Sequence, residues 1–285
     1  MDSDAEFPRD TPSITRWIVK VRDHGASECQ DHIAVEEPLE IRLAGMNLSI
    51  TMRTPGHDEE LVAGFLFAEG VISGADDLDV IARYRGPDAD PEAGNVVNVL
   101  LKKNGHAARE RLRRNFVASS SCGLCGKATI DAVRASLPPV RSDIVIPAER
   151  FHRLAFAMHE AQSTFERTGG LHAAGLFDAD GALIVLREDI GRHNAVDKVI
   201  GHMVLRRGVP LDRHVLMVSG RVSFEIVQKA LQARVPAVAA VSAPSSMAVQ
   251  MALAADMTLV GFVRPGGFNV YAGGHRLAAK VEEFV

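Results

Sequence analysis

Cysteine is scarce, at three in 285 residues, which excludes a disulfide-stapled scaffold. In so cysteine-poor a chain, a close thiol pair is more often catalytic or metal-binding than structural, and it fits a reducing compartment. Positive charge is not in excess either. Lys and Arg number 32 against 36 Asp and Glu, a formal net charge of -4. That disfavours a general nucleic-acid clamp, which needs a basic face. No apolar run approaches the ~18 residues of a membrane helix. Residues 1–12 are polar and acidic, not basic then apolar as in a signal peptide. Neither a membrane span nor a leader is predicted, and the cytoplasm is the expected location. What is abundant is apolar surface. Hydrophobic residues make up 47%, enough for a core and against disorder. The length suits one large or two modest domains.

Residues 1–14 read as a flexible tail. Residues 15–147 read as a smaller, strand-rich N-terminal region, with short alternating runs at Trp17–Arg22, Leu39–Leu43, Leu48–Arg53 and Asn95–Leu101. Asp58 is placed to cap a helix whose one face carries Leu61, Val62, Phe65 and Leu66. Arg85–Gly94 is a loop, and Lys102–Arg114 a basic strip. A helix is predicted from Cys125 to about Ser136, and Pro138, Pro139 and Pro147 mark a boundary. Residues 148–285 form the second unit. Glu149–Arg167 has helical periodicity, and Asp178–Gly181 is a hairpin turn. Strands are predicted at Ala173–Phe177, Ala182–Leu186, Val215–Val218, Ala237–Ser242 and Met257–Val263. Helices are predicted near Ala195–Arg207, Phe224–Ala233 and Ser246–Ala254. This alternation specifies a three-layer α/β domain with partly parallel strands.

Cys122 and Cys125 form a C-x-x-C flanked by Gly123 and Gly126. Thiol chemistry needs a thiolate, and the helix expected here lowers a thiol pKa through its free N–H groups and dipole. Arg111, Arg113, Arg114 and Lys127 add positive charge nearby in sequence. Cys122 is placed for nucleophilic attack, and Cys125 can resolve or share what it carries. Four readings stay open. One is a sulfur-handling cysteine on an exposed loop. A thioredoxin-like motif would sit between a strand and a helix of a compact fold, whereas this pair sits at a domain junction. A structural zinc site takes four ligands, so an oligomer would have to supply the rest. The last is two ordinary buried cysteines. Cys29, alone beside His24 and His32, reads as ordinary.

Four segments of the second unit are polar where an α/β sheet places its strand ends. They are Thr168–Ala174, Arg187–Lys198, Ser219–Glu225 and Phe262–Tyr271. Ligands of open α/β sheets bind beyond the carboxyl ends of strands. Gly191, Gly220, Gly266 and Gly267 permit exposed N–H groups, and Arg192, Lys198, Arg221 and Arg264 supply cations, the combination a phosphate needs. Asp189, Asn194 and Asp197 can accept from a purine or pterin edge. His193 is a candidate ligand contact, while His172 alone reads as readily as a core or capping histidine. In zinc nucleotide deaminases the signature is H-x-E followed by P-C-x-x-C. The comparable pieces are His172-Ala-Ala174 and Pro244-Ser-Ser-Met247, which lack the general acid and the thiol ligands. Zinc and deamination are therefore not expected.

At these residues the sequence resembles the FdhD family of sulfur carrier proteins required for formate dehydrogenase activity. The resemblance rests on Cys122–Gly126, Gly170–Ala174, Glu188–Lys198, Ser219–Lys229, Phe262–Tyr271 and Glu59–Gly70, and it covers roughly residues 15–280. No motif position departs from the family's pattern. The resemblance implies a deaminase-like larger domain and a homodimer. It implies that a cysteine desulfurase passes sulfur to Cys122 as a persulfide, with Cys125 the second thiol. That sulfur would go to the molybdenum or tungsten of a bis-guanine-dinucleotide cofactor, a bound substrate destined for apo-formate dehydrogenase. It associates Phe262, Val263, Arg264, Pro265, Gly266 and Gly267 with that cofactor. His172, Asp189, Arg192, His193, Asn194, Asp197, Lys198, Ser219 and Arg221 complete the expected pocket. A dithiol-disulfide oxidoreductase and a non-catalytic nucleotide-cofactor chaperone are the alternatives.

Overall fold

A computed structural model of the chain describes residues 11–83, 95–102 and 139–278. Cys122, Cys125, the basic strip beyond Lys102, the loop 85–94 and the helix expected after Cys125 lie outside the described residues.

The alternating runs of the N-terminal region form strands. β1 (Ser13–Arg22) pairs antiparallel with β2 (Gly25–Ala34), so regular structure begins inside the stretch read as tail. β3 (Glu37–Leu43), β4 (Met46–Arg53), β5 (Leu78–Arg83) and β6 (Val96–Leu101) form a second sheet in the order β4-β3-β6-β5. The two-residue period buries Leu39, Ile41 and Leu43. They pack in one core with Leu61, Val62 and Leu66 of α1 (Asp58–Ala68).

Asp58 does not cap that helix. His57 occupies the cap position in a left-handed conformation, with no side-chain cap. The Asp58 carboxylate is held instead by the buried Arg53 guanidinium at 2.9 and 3.1 Å and by Arg83 at 3.0 Å. A bidentate guanidinium outcompetes a single backbone N–H for a carboxylate.

The main sheet has six strands in the order β13-β12-β11-β10-β8-β9. These are β8 (His172–Phe177), β9 (Leu183–Asp189), β10 (Val215–Val218), β11 (Ala237–Ala240), β12 (Thr258–Arg264) and β13 (Gly267–Ala272). β10, β11 and β12 run parallel, and the other neighbours pair antiparallel. Side chains alternate between faces. Leu216 and Val218 pack toward α4 (Arg192–Leu205), α5 (Phe224–Gln232) and α6 (Ser246–Ala254). Val215 and Met217 pack toward α2 (Arg150–Glu160), giving three layers. A short parallel pair, β7 (Ile146–Pro147) and β14 (Leu277–Ala278), borders the α2 side.

The helix expected over 149–167 is broken. α2 ends at Glu160 and α3 (Ser163–Thr168) starts afresh. The Glu188 carboxylate, distant in sequence, accepts from the Thr164 and Phe165 N–H groups at 3.0 and 2.7 Å, and so caps α3 from outside. Two glycines set the crossing of α1 and α4. A Cβ on Gly64 would overlap the Asp197 carbonyl, and one on Gly201 the Glu60 carbonyl. This close approach brings the four-stranded sheet and the main sheet into one continuous core.

Candidate functional site: a cationic sheet edge and its cavity

The four polar segments lie along one edge of the main sheet. His172 opens β8 opposite Asp189, the last residue of β9, and Ser219 follows β10. Arg264 and Gly267 form the turn between β12 and β13, two strands further along. Phe262 takes a positive φ of 55° in the irregular register there, and its neighbour Arg264 is exposed. Val263 points the other way and is 2% exposed in the core with Phe151. It anchors the ribbon that carries Arg264, Pro265, Gly266 and Gly267.

Asp189 and Lys198 sit beneath this edge. Lys198 Nζ lies 2.7 Å from Asp189 Oδ2, with the two side chains 1% and 0% exposed. Lys198 also donates to the Thr54 carbonyl at 2.8 Å, and Asp189 accepts from the N–H groups of Thr54 and Gly191. Their polar atoms are committed to holding the β9–α4 turn, so these two residues shape the site from below. Asn194 is fixed by donating to the Met52 carbonyl at 2.7 Å and to Asp189 at 3.0 Å.

Above them, the N-termini of α4 and α5 meet. Neither N-cap, Gly191 nor Ser223, makes a side-chain cap. His193 Nε2 lies 2.9 Å from both Ser223 Oγ and Glu225 Oε2, linking the two helix starts. That contact holds the Glu225 carboxyl below its ordinary range. The buried Nε of Arg192 has no partner among the described residues. Gly220 lets the chain pass close to His172, because a Cβ there would stand 3.2 Å from His172 Nδ1. Burial holds the His172 pKa down, helped by Arg192, His193 and Arg221. Two helix starts without side-chain caps and two arginines are the features that favour an anion.

On the other side of His193 a cavity of about 280 Å³ opens between β3, β4, α1, α4 and α5. Asp197 and Lys229 line it together, paired at 2.7 and 2.8 Å. Burial pushes the Asp197 carboxyl up, against the pull of Lys229. No group of three His, Cys, Asp or Glu among the described residues is placed to hold a metal ion.

With this geometry established, comparison with known proteins is informative. The model of the FdhD/NarQ family matches residues 34–278. This chain belongs to that family. FdhD/NarQ relatives include the sulfur carrier protein FdhD of Streptomyces avermitilis. It is 48% identical over 273 residues, covering 93% of this chain and 95% of the relative. The sulfur carrier protein FdhD of Mycobacterium tuberculosis is 47% identical over 251 residues, covering 86% and 91%. A solved structure of a proposed formate dehydrogenase accessory protein from Desulfotalea psychrophila superposes with a TM-score of 0.74. It is 26% identical and covers 94% of this chain and 100% of that one.

In this FdhD/NarQ chain, the sequence placed Glu225 in a polar segment and Gln228 and Lys229 in a family motif, but did not show that they share a cavity wall with α1 and β4. Phe65, Glu69, Phe224, Glu225, Gln228 and Lys229 also line it. A signal was available on α5. Gln228 and Lys229 are polar residues on a helix whose buried side carries Phe224, Ile226, Val227 and Leu231. Polar groups in such positions are rarely accidental.

Proposed function

We propose that this chain is a sulfur carrier for formate dehydrogenase maturation, acting in the cytoplasm as a homodimer. Cys122 thiolate attacks the outer sulfur of a cysteine desulfurase persulfide. A new S–S bond forms on Cys122, and the desulfurase thiolate leaves. The outer sulfur is then delivered to the molybdenum or tungsten of a bis-guanine-dinucleotide cofactor, which is cargo. In that step Cys125 thiolate attacks Cys122 Sγ, sulfide leaves toward the metal, and the two electrons come from the thiols, which become a disulfide. A cellular dithiol resets the pair. Cofactor binding would fall to the sheet edge, where Arg192 and Arg221 stand beside the helix starts of α4 and α5. The loaded cofactor then passes to apo-formate dehydrogenase.

One observation carries this reading: the family match spans 34–278 and includes Cys122-Gly-Leu-Cys125 with its glycine flanks. The cationic edge supports the cofactor half, since pyrophosphate is what uncapped helix starts and arginines attract. Intact mass spectrometry after incubation with a desulfurase and cysteine tests it. An adduct of about 32 Da per added sulfur is expected on the wild type and lost in Cys122→Ala. An unmodified wild type would overturn the sulfur-carrier reading.

A further inference from the structure

The β1–β2 hairpin has no part in the site described above. It forms a sheet of two strands, and the outer edge of β1 pairs with no strand among the described residues. Two strands alone are marginal in water, and a third is what stabilises such a ribbon. Side chains alternate along β1 between its two faces. One face carries Trp17, Val19 and Val21, which are 70%, 61% and 75% exposed. Single exposed apolar residues are ordinary, but three in a row on one face form a stripe. The opposite face carries Arg16, Ile18, Lys20 and Arg22. Lys20 and Arg22 are exposed and form no ion pair among the described residues.

An unpaired strand edge is a template for another strand. A strand laid along β1 meets the apolar stripe on one face and the cations on the other, so it is matched when its residues alternate apolar and acidic. A second copy of β1 is a poor match. Antiparallel registers that bring Trp17 onto Val19 or Val21 of the copy set Arg16 against its Lys20 or Arg22, and like charges directly opposite are destabilising. A single-stranded nucleic acid takes cations beside aromatic rings, whereas here the two stand on opposite faces. A lipid surface would have to take in Glu28, which lies opposite Val19 on the apolar face. We infer that the outer edge of β1 is a docking strand for an extended segment of a partner protein whose residues alternate apolar and acidic. The segment adds a third strand through main-chain hydrogen bonds, and side-chain matching on the two faces selects it. The inference goes beyond the sulfur-carrier reading and requires neither the thiols nor a cofactor.

Trp17 is the one tryptophan of the chain, so its emission reports on this edge directly. The test titrates the full chain with a synthetic peptide of alternating valine and glutamate, with its valine–lysine counterpart, and with the glutamate peptide carrying a central proline. The glutamate peptide is expected to shift Trp17 emission to the blue, saturably, and to bind about tenfold more tightly than the lysine peptide, because opposite-charge pairs become like-charge pairs. The proline peptide is expected not to bind, since proline lacks the N–H that a ladder needs. Lys20→Glu with Arg22→Glu is expected to reverse the preference between the glutamate and lysine peptides, a gain for one probe that misfolding does not produce. No shift with the glutamate peptide, equal affinity for the two charge versions, or an unchanged preference in the double variant overturns the inference. A blue shift on raising the protein concentration alone would assign the face to a second copy. A shift with phosphatidylserine vesicles and with no peptide would assign it to lipid. Either outcome also overturns it.

Discussion

Replacing Lys229 by methionine keeps the volume of the side chain and removes its charge. Asp197 then loses its partner while its side chain stays 4% exposed. Removing one member of a buried ion pair costs about 3–5 kcal/mol, because the remaining charge stays desolvated. Against a total stability of roughly 5–15 kcal/mol this is severe. At about 2–4 °C per kcal/mol for a chain of this size, the melting temperature should fall by roughly 6–20 °C. The loss should depend on pH. Burial already raises the Asp197 carboxyl, and without the lysine it rises further. A carboxyl with a raised folded pKa takes up a proton on folding. Its penalty is therefore absent below the ordinary value of about 3.9 and grows as pH rises through the folded one. Urea unfolding followed by circular dichroism should show the gap between variant and parent largest near neutral pH and smaller toward about pH 4.5. Adding Asp197→Asn should recover at least half of the loss, since the stranded charge is gone. A loss under about 1 kcal/mol, an equal gap at both pH values, or no recovery in the double variant would refute the reasoning.

Two further outcomes follow from the packing. Gly64→Ala is expected to destabilise by about 3 kcal/mol, the upper end for overpacking, because the added methyl meets the Asp197 backbone and not a side chain that can turn away. Thermal melts of the two proteins check it. The His172 ring should titrate below the ordinary histidine value of about 6.5. It stays neutral at pH 7, and the stability tied to its neutral form is present above the ordinary value of about 6.5 and is lost as pH falls from there through the lowered value. An NMR titration that finds His172 at or above 6.5 would contradict the burial argument.

The local elements were legible where a period was strong. The helix face of Leu61, Val62 and Leu66 and the strands over 215–218 and 237–240 follow from spacing alone. So did the polar character of the strand ends at His172, Asp189 and Ser219. Three features were not legible, each because a distant residue decided them. Arg53 takes Asp58 away from the helix cap. Glu188 restarts the helix at Ser163. The α1 wall reaches the α4 and α5 wall only because Gly64 and Gly201 let two helices touch.

The sequence by itself determined the chemistry available: a thiol pair, four polar strand ends, a cysteine-poor and near-neutral chain, and a family pattern dense enough to be recognised. Periodicity and motif spacing are local properties, and they survive without coordinates. Only the tertiary structure decided which polar groups are already satisfied and which are not. Asp189 and Lys198 carry the family motif yet neutralise each other in the interior. Gln228, named only as part of the Ser219–Lys229 motif, lies on the wall of a cavity that the sequence does not show. The physical reason is that desolvation and pairing depend on neighbours from β4, α1, α4 and α5 at once, and no single stretch of chain contains them.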